Sequence, residues 1–149
     1  MTVKDGSIFL DANVLLYYLD GSSPHHKATE DTLRQFVESG TALCTSHHAL
    51  EEVLHVTLQV YNAEAATAAL EDIANIPGLS LVEPLADFAF AQRYTKLLES
   101  VNVGLNDCLI LQLILDNGIH TLYSYDQALS RAATALNIRS ITNNTKSPL

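Results

Sequence analysis

The sequence predicts an α/β fold, a mostly parallel sheet of four to five strands with helices on both faces. Two observations carry this. Short apolar runs alternate with longer segments of helical periodicity along the whole chain. The short runs also lack the polar–apolar alternation of a strand with one wet face, so they read as strands buried on both sides. The 6 glycines and 4 prolines are scattered, no linker stands out, and 149 residues suit one domain over 1–149.

The first strand is Ser7-Ile-Phe-Leu10, which ends abruptly at Asp11. A short apolar helix or turn follows over Asn13 to Asp20, closed by Gly21. Ser23-Pro24 has the form of an N-cap with proline at the first helical position, opening a helix to about Ser39 that Gly40 ends. Thr41 to Thr45 reads as the second strand. Ser46 caps a helix reaching about Tyr61, and Asn62 caps another that stops at Pro77-Gly78. Leu79 to Val82 is the third strand, followed by a helix from about Ala86 to Ser100. Asn106 is the expected cap of the most apolar helix, about Asp107 to Asn117, which should be buried on most sides. His120 to Tyr123 is the fourth strand, Gln127 to Asn137 a helix, and Ile138 to Ile141 a fifth strand. The tail from Thr142 is expected to fray.

Composition removes several classes. The formal charge is −9, from 17 acidic and 8 basic residues, so a chain that holds nucleic acid by charge alone is excluded. The longest nearly apolar run, Leu109 to Leu115, is far short of the roughly 20 residues that span a bilayer. No signal peptide is visible. Cys44 and Cys108 sit in apolar surroundings without a CxxC pattern, as reduced core residues would. A cytoplasmic protein without membrane contact is the expectation.

In a parallel sheet, sites form beyond the carboxyl ends of the strands. Asp11 follows the first strand directly and Asp126 lies just past the fourth. Glu51 and Glu52 fall in the helix after the second strand, and Asp107 in the first turn of the buried helix. All share one sheet edge, although more than 110 residues separate the first from the last. Each has a plain structural reading too. Acids in a first turn complement the helix dipole, and Asp126 has a capping position. Asp11 is harder to explain this way, because it lies among Ile8-Phe9-Leu10 and Val14-Leu15-Leu16 with no cation near it in sequence. Clustered carboxylates repel unless a cation holds them, and Mg²⁺ or Mn²⁺ prefers such oxygen donors. The chemistry this suggests is metal-assisted attack of water on a phosphodiester.

Four segments, Ile8-Phe-Leu-Asp-Ala-Asn-Val-Leu-Leu16, Thr45-Ser-His-His-Ala-Leu-Glu-Glu-Val-Leu54, Leu105-Asn-Asp-Cys-Leu-Ile-Leu-Gln112 and Leu122-Tyr-Ser-Tyr-Asp-Gln-Ala-Leu129, resemble the PIN-domain ribonucleases. The VapC-like toxins of toxin–antitoxin pairs are the nearest group. The resemblance implies a three-layer α/β/α sandwich and an acidic site of Asp11, Glu52, Asp107 and Asp126, acting as catalytic residues and as ligands of Mg²⁺ or Mn²⁺. It gives Asn13 and Ser124 supporting positions. It further implies an RNA substrate, a small inhibitory antitoxin and a homodimer. Ala12 and Ser124 stand where many members carry threonine, which removes no carboxylate. Glu51 and Glu52 point about 100° apart on a helix, and periodicity does not choose between them. The six-residue step from Ser46 resembles the family spacing and favours Glu52.

Arg93 and Lys96 share a helix face, and Arg131 follows Asp126 by just over one turn; these could guide a phosphate backbone, although solvated surface is their ordinary use. Lys27 and Arg34 are further candidates on the second helix. Tyr17, Tyr18, Tyr123 and Tyr125 have base stacking as an alternative to core packing. The adjacent histidines diverge on a helix, and His48 and His55 are too far apart in sequence for a helical metal pair. A haloacid-dehalogenase-like phosphatase needs a second aspartate where Asn13 stands. A receiver-type signalling domain needs a central acceptor aspartate, and the second strand ends Cys44-Thr45-Ser46 instead. A PIN fold kept as a non-catalytic RNA- or protein-binding module is the remaining alternative.

Overall fold

The computed structural model describes residues 3–85 and 87–142. Its five strands are β1 (Ile8–Leu10), β2 (Leu43–Ser46), β3 (Leu79–Val82), β4 (Thr121–Tyr123) and β5 (Arg139–Ile141). The helices are α1 (Ala12–Leu19), α2 (His26–Glu38), α3 (His47–Val60), α4 (Ala63–Ala74), α5 (Ala89–Ser100), α6 (Leu105–Asp116) and α7 (Gln127–Ala135). All strand pairs are parallel, in the order β3-β2-β1-β4-β5. This is the α/β architecture the sequence predicts.

The alternation of side chains along each strand explains the layers. Ile8, Leu10, Leu43 and Tyr123 pack with Val14, Leu15, Leu33, Val53 and Ile73 of α1–α4. Phe9, Cys44 and Leu122 point the other way and pack with Leu97, Leu111, Ile114 and Leu129 of α5–α7. Both faces of β1 and β2, and nearly all of β4, are dry, so no polar period appears there, whereas the edge strands β3 and β5 are partly exposed. α6 buries Cys108, Ile110, Leu111, Gln112, Leu113 and Ile114, as its all-round apolarity requires. No single described helix is long and apolar enough to cross a membrane.

Helix starts divide into those read correctly and those shifted. Ser46 and Asn62 cap α3 and α4, each side chain accepting the N–H three residues on. Ser46→Ala is expected to cost about 1 kcal/mol, read as a lower urea midpoint with unchanged slope. Ser23-Pro24 does not open α2. The Ser23 hydroxyl accepts the N–H of His25 at 3.1 Å, closing a turn, and the helix begins at His26. Asn106 does not cap α6; Gly104 holds that place, and Asn106 lies in the first turn. The expected start of α5 near Ala86 and the tail beyond Thr142 lie outside the described residues.

Candidate functional site

The strand order reverses at β1. The chain leaves β1 towards β2 and β3, then crosses back to add β4 and β5 on the other side. The crevice at such a reversal lies between the carboxyl ends of the two strands that flank it, here β1 and β4. Leu10 is in register with Tyr123, so the next residues, Asp11 and Ser124, meet there.

Asp11 is buried, and three groups hold its carboxylate. Oδ1 accepts the Ala12 N–H at 2.8 Å, which makes Asp11 the N-cap of α1. Oδ2 accepts the Ser124 hydroxyl at 2.7 Å and the Asn13 amide at 3.3 Å. Ser124 Oγ in turn accepts the Asp126 N–H at 3.0 Å, and Asn13 Oδ1 accepts the Tyr125 N–H at 3.1 Å. Asn13 and Ser124 therefore stitch the β1–α1 junction to the β4–α7 junction. Asp126 caps α7, its Oδ1 accepting the Leu129 N–H at 3.1 Å. Further below, Thr45 Oγ1 of β2 donates to the Leu10 carbonyl at 2.9 Å and fixes the end of β1.

Electrostatics tie in the remaining acids. Burial pushes the Asp11 carboxyl above its ordinary value, opposed by the hydrogen bonds from Ser124 and Ala12 and reinforced by the charges of Glu52 and Asp126. Burial likewise raises Asp107, and the charges of Asp126 and Asp11 raise it further. Asp11, Glu52, Asp107 and Asp126 thus lie within one electrostatic neighbourhood. Glu51, one residue from Glu52 and about 100° round the helix, is not among the charges acting on either aspartate. Among the described residues, no three His, Cys, Asp or Glu side chains stand in a metal-holding group.

The basic residues fall elsewhere. Arg93 makes a two-pronged pair with Asp116 (Nε–Oδ1 3.0 Å, a second nitrogen to Oδ2 3.2 Å) and reaches Asp87 at 3.4 Å. Asp116 ends α6, the opposite end from Asp107, and its side chain is almost fully buried and also bonded to Gln112 at 2.7 Å. Arg93 is therefore a clamp between α5 and α6. Arg93→Ala is expected to lower the melting temperature by several degrees in a circular-dichroism melt, because Asp116 loses its counter-charge. Arg34 pairs with Glu30 and Asp31 on its own helix, and Lys27 with Asp31. Lys96 and Arg131 are exposed. His47 pairs with Glu83 at the same sheet edge as the acids. Burial raises the Cys44 thiol to about 12, and both cysteines are free and buried.

Some residues at this edge have no signature in the sequence. Thr29 of α2 hydrogen-bonds the Tyr125 hydroxyl at 2.7 Å, across 96 positions, and nothing local announces it.

These features define a doubly wound α/β protein with a carboxylate cluster at its reversal point. The chain belongs to the PIN domain family, whose model matches residues 8–135. Its fold is similar to that of Mycobacterium tuberculosis VapC20, described as a sarcin-ricin loop cleaving toxin. The two are 19% identical with a TM-score of 0.65 over 84% of this chain and 94% of that one. It is also similar to VapBC2 of Rickettsia felis, solved on a promoter DNA fragment (16% identity, TM-score 0.69, 91% of this chain and 98% of that one). DNA-bound VapBC of Salmonella typhimurium is a third (17%, 0.65, 91% and 97%). No curated protein matches the chain in sequence.

Proposed function

We propose that this protein is a metal-dependent endoribonuclease and the toxin of a toxin–antitoxin pair. The observation that carries the proposal is the convergence of Asp11, Glu52, Asp107 and Asp126 at the β1/β4 reversal, with the two aspartates at Asp11 and Asp107 raised by burial and by their neighbours' charges. Four carboxylates kept together at neutral pH call for a cation, and an all-oxygen set suits Mg²⁺ or Mn²⁺. When bound, such an ion lowers the pKa of an attacking water and neutralises charge on the leaving oxygen.

The chain's own residues supply the placement. Ser124 and Asn13 fix the direction of the Asp11 carboxylate, and Asp126 keeps Oδ2 for the site while Oδ1 caps α7. Asp107 contributes from the first turn of α6, where the charges of Asp126 and Asp11 act on it. With Arg93 committed to Asp116, backbone contacts fall to Lys96 and Arg131. The membership in the PIN family and the likeness to VapC20 and the VapBC complexes support the toxin part. So does an apolar groove between α1, α3 and α4, lined by Leu16, Val56 and Ala69 and flanked by Asp20 and Asp72, which suits a small antitoxin with a basic, partly apolar segment. Under this proposal the protein works in the cytoplasm as a homodimer.

The test uses purified chain, free of any partner, with RNA and Mg²⁺ or Mn²⁺ against EDTA. Cleavage that needs the ion is expected; cleavage indifferent to EDTA, or none in either ion, would sink the proposal. The second reading is a non-catalytic RNA-binding module, favoured by the lack of a preformed metal-holding group among the described residues. RNA retained without cleavage would establish it.

A further inference from the structure

We propose that Tyr17, His25 and Tyr125 form a stacking platform for one unpaired base of the RNA beside the carboxylates, an inference that rests on the nuclease reading. The Tyr125 ring lies 4.9 Å from Tyr17, edge-on at 90°, and 4.9 Å from His25, tilted at 49°. Tyr17 and His25 are 4.7 Å apart. All three residues are partly exposed. Tyr123, 5.9 Å from Tyr125, is wholly buried, whereas Tyr125 packs against the same core yet stays partly exposed.

The platform starts at the site. Tyr125 lies between Ser124 and Asp126 in the chain, and its N–H is bonded to Asn13. Tyr17 is one turn beyond Asn13 on the same face of α1, about 6 Å along the axis. It is also held in place before anything binds. The Tyr125 hydroxyl is bonded to Thr29, the Tyr17 carbonyl to His26 Nδ1 at 2.9 Å, and Thr29 is bonded back to the His25 carbonyl. The Tyr125 ring is thus fixed through its hydroxyl, while the bonds to the Tyr17 and His25 carbonyls fix the backbone that carries their rings, so little freedom is lost on binding.

Charge says why a base is the fitting occupant. At −9 overall, with four acids at the reversal point, the chain cannot grip RNA mainly through phosphates. Base–ring stacking does not depend on net charge and tolerates any base. A platform that begins at Tyr125, next to Asp126 in the chain, and extends to Tyr17, one turn beyond Asn13, supplies affinity where the acids themselves repel the backbone.

The experiment uses the full chain carrying Asp11→Asn, to stop cleavage, and single-stranded RNA 12-mers with one 2-aminopurine walked along the sequence, in Mn²⁺. Stacking quenches 2-aminopurine. Quenching confined to one or two positions is expected, lost in Tyr17→Ala and His25→Ala but kept in Tyr17→Phe. In the chain with intact Asp11, Tyr17→Ala should raise KM about 10-fold and leave kcat within about 2-fold. Unchanged quenching and KM in the alanine variants, while the parent chain cleaves RNA, would overturn the platform alone. A parent chain that neither binds nor cleaves RNA would overturn the nuclease reading and the platform with it. Loss of an antitoxin's binding in Tyr17→Ala with RNA unaffected would assign the rings to protein contact and also overturn it. Circular dichroism of each variant, with Tyr17→Phe as the conservative control, separates these outcomes from misfolding.

Discussion

Asp11→Asn is expected to lower RNA cleavage by about 1000-fold, roughly 4 kcal/mol of lost transition-state stabilisation, without unfolding the protein. Asparagine keeps the side chain's size and one oxygen to accept the Ala12 N–H, so the cap of α1 survives. It loses the negative oxygen at the centre of the cluster. Removing that charge relieves the burial cost, and the new amide facing the Ser124 and Asn13 donors offsets the relief, so the melting temperature without metal should stay within a few degrees of the parent's. Lower activity with a collapsed melting temperature would point to structure and refute the assignment. Glu52→Gln should follow Asp11→Asn in activity and Glu51→Gln should not, since only Glu52 acts on Asp11.

Divalent ions are expected to stabilise the chain strongly at neutral pH and little in acid. Asp11 and Asp107 both hold protons more tightly folded than unfolded. Their contribution to stability is therefore fullest below the unfolded value of 3.8 and is lost as pH rises through their higher folded values. Mg²⁺ or Mn²⁺ should recover that loss. At an ion concentration of 100 times Kd the gain is about 2.7 kcal/mol, or roughly 5–10 °C in a chain of this size. The gain should shrink steadily as the pH falls and protons compete for the same oxygens. Thermal melts in Mn²⁺ and in EDTA across pH would measure this; an ion effect independent of pH would place the binding elsewhere.

The fold was largely legible because both of its signals are local. Short dry strands and long amphipathic helices leave different patterns, and the caps at Ser46 and Asn62 fall where the residue types put them. The shifted starts have one cause: a side chain with another use. Ser23 closes a turn before α2, and Gly104 leaves Asn106 inside α6. The meeting of Asp11 and Asp126 was legible through strand ends, because topology alone brings the ends of β1 and β4 together. Periodicity does not choose between Glu51 and Glu52; that it is the Glu52 charge that acts on Asp11 depends on what lies across the sheet edge. Arg93 reads in sequence as a free cation beside Lys96, yet its partner Asp116 is 23 residues away, beyond any helical spacing. Thr29 and Tyr125 illustrate the same limit at longer range.

The pairing of β1 with β4 has a consequence for the timing of synthesis. Asp11 leaves the ribosome early, but the residues that orient it and complete its surroundings lie at 107, 124 and 126. At about 5–20 residues per second, a nascent chain spends on the order of ten seconds with Asp11 made and Asp126 not yet translated. No truncated product that ends before β4 carries the cluster. The assembled carboxylate cluster therefore exists only once nearly the whole polypeptide has been made.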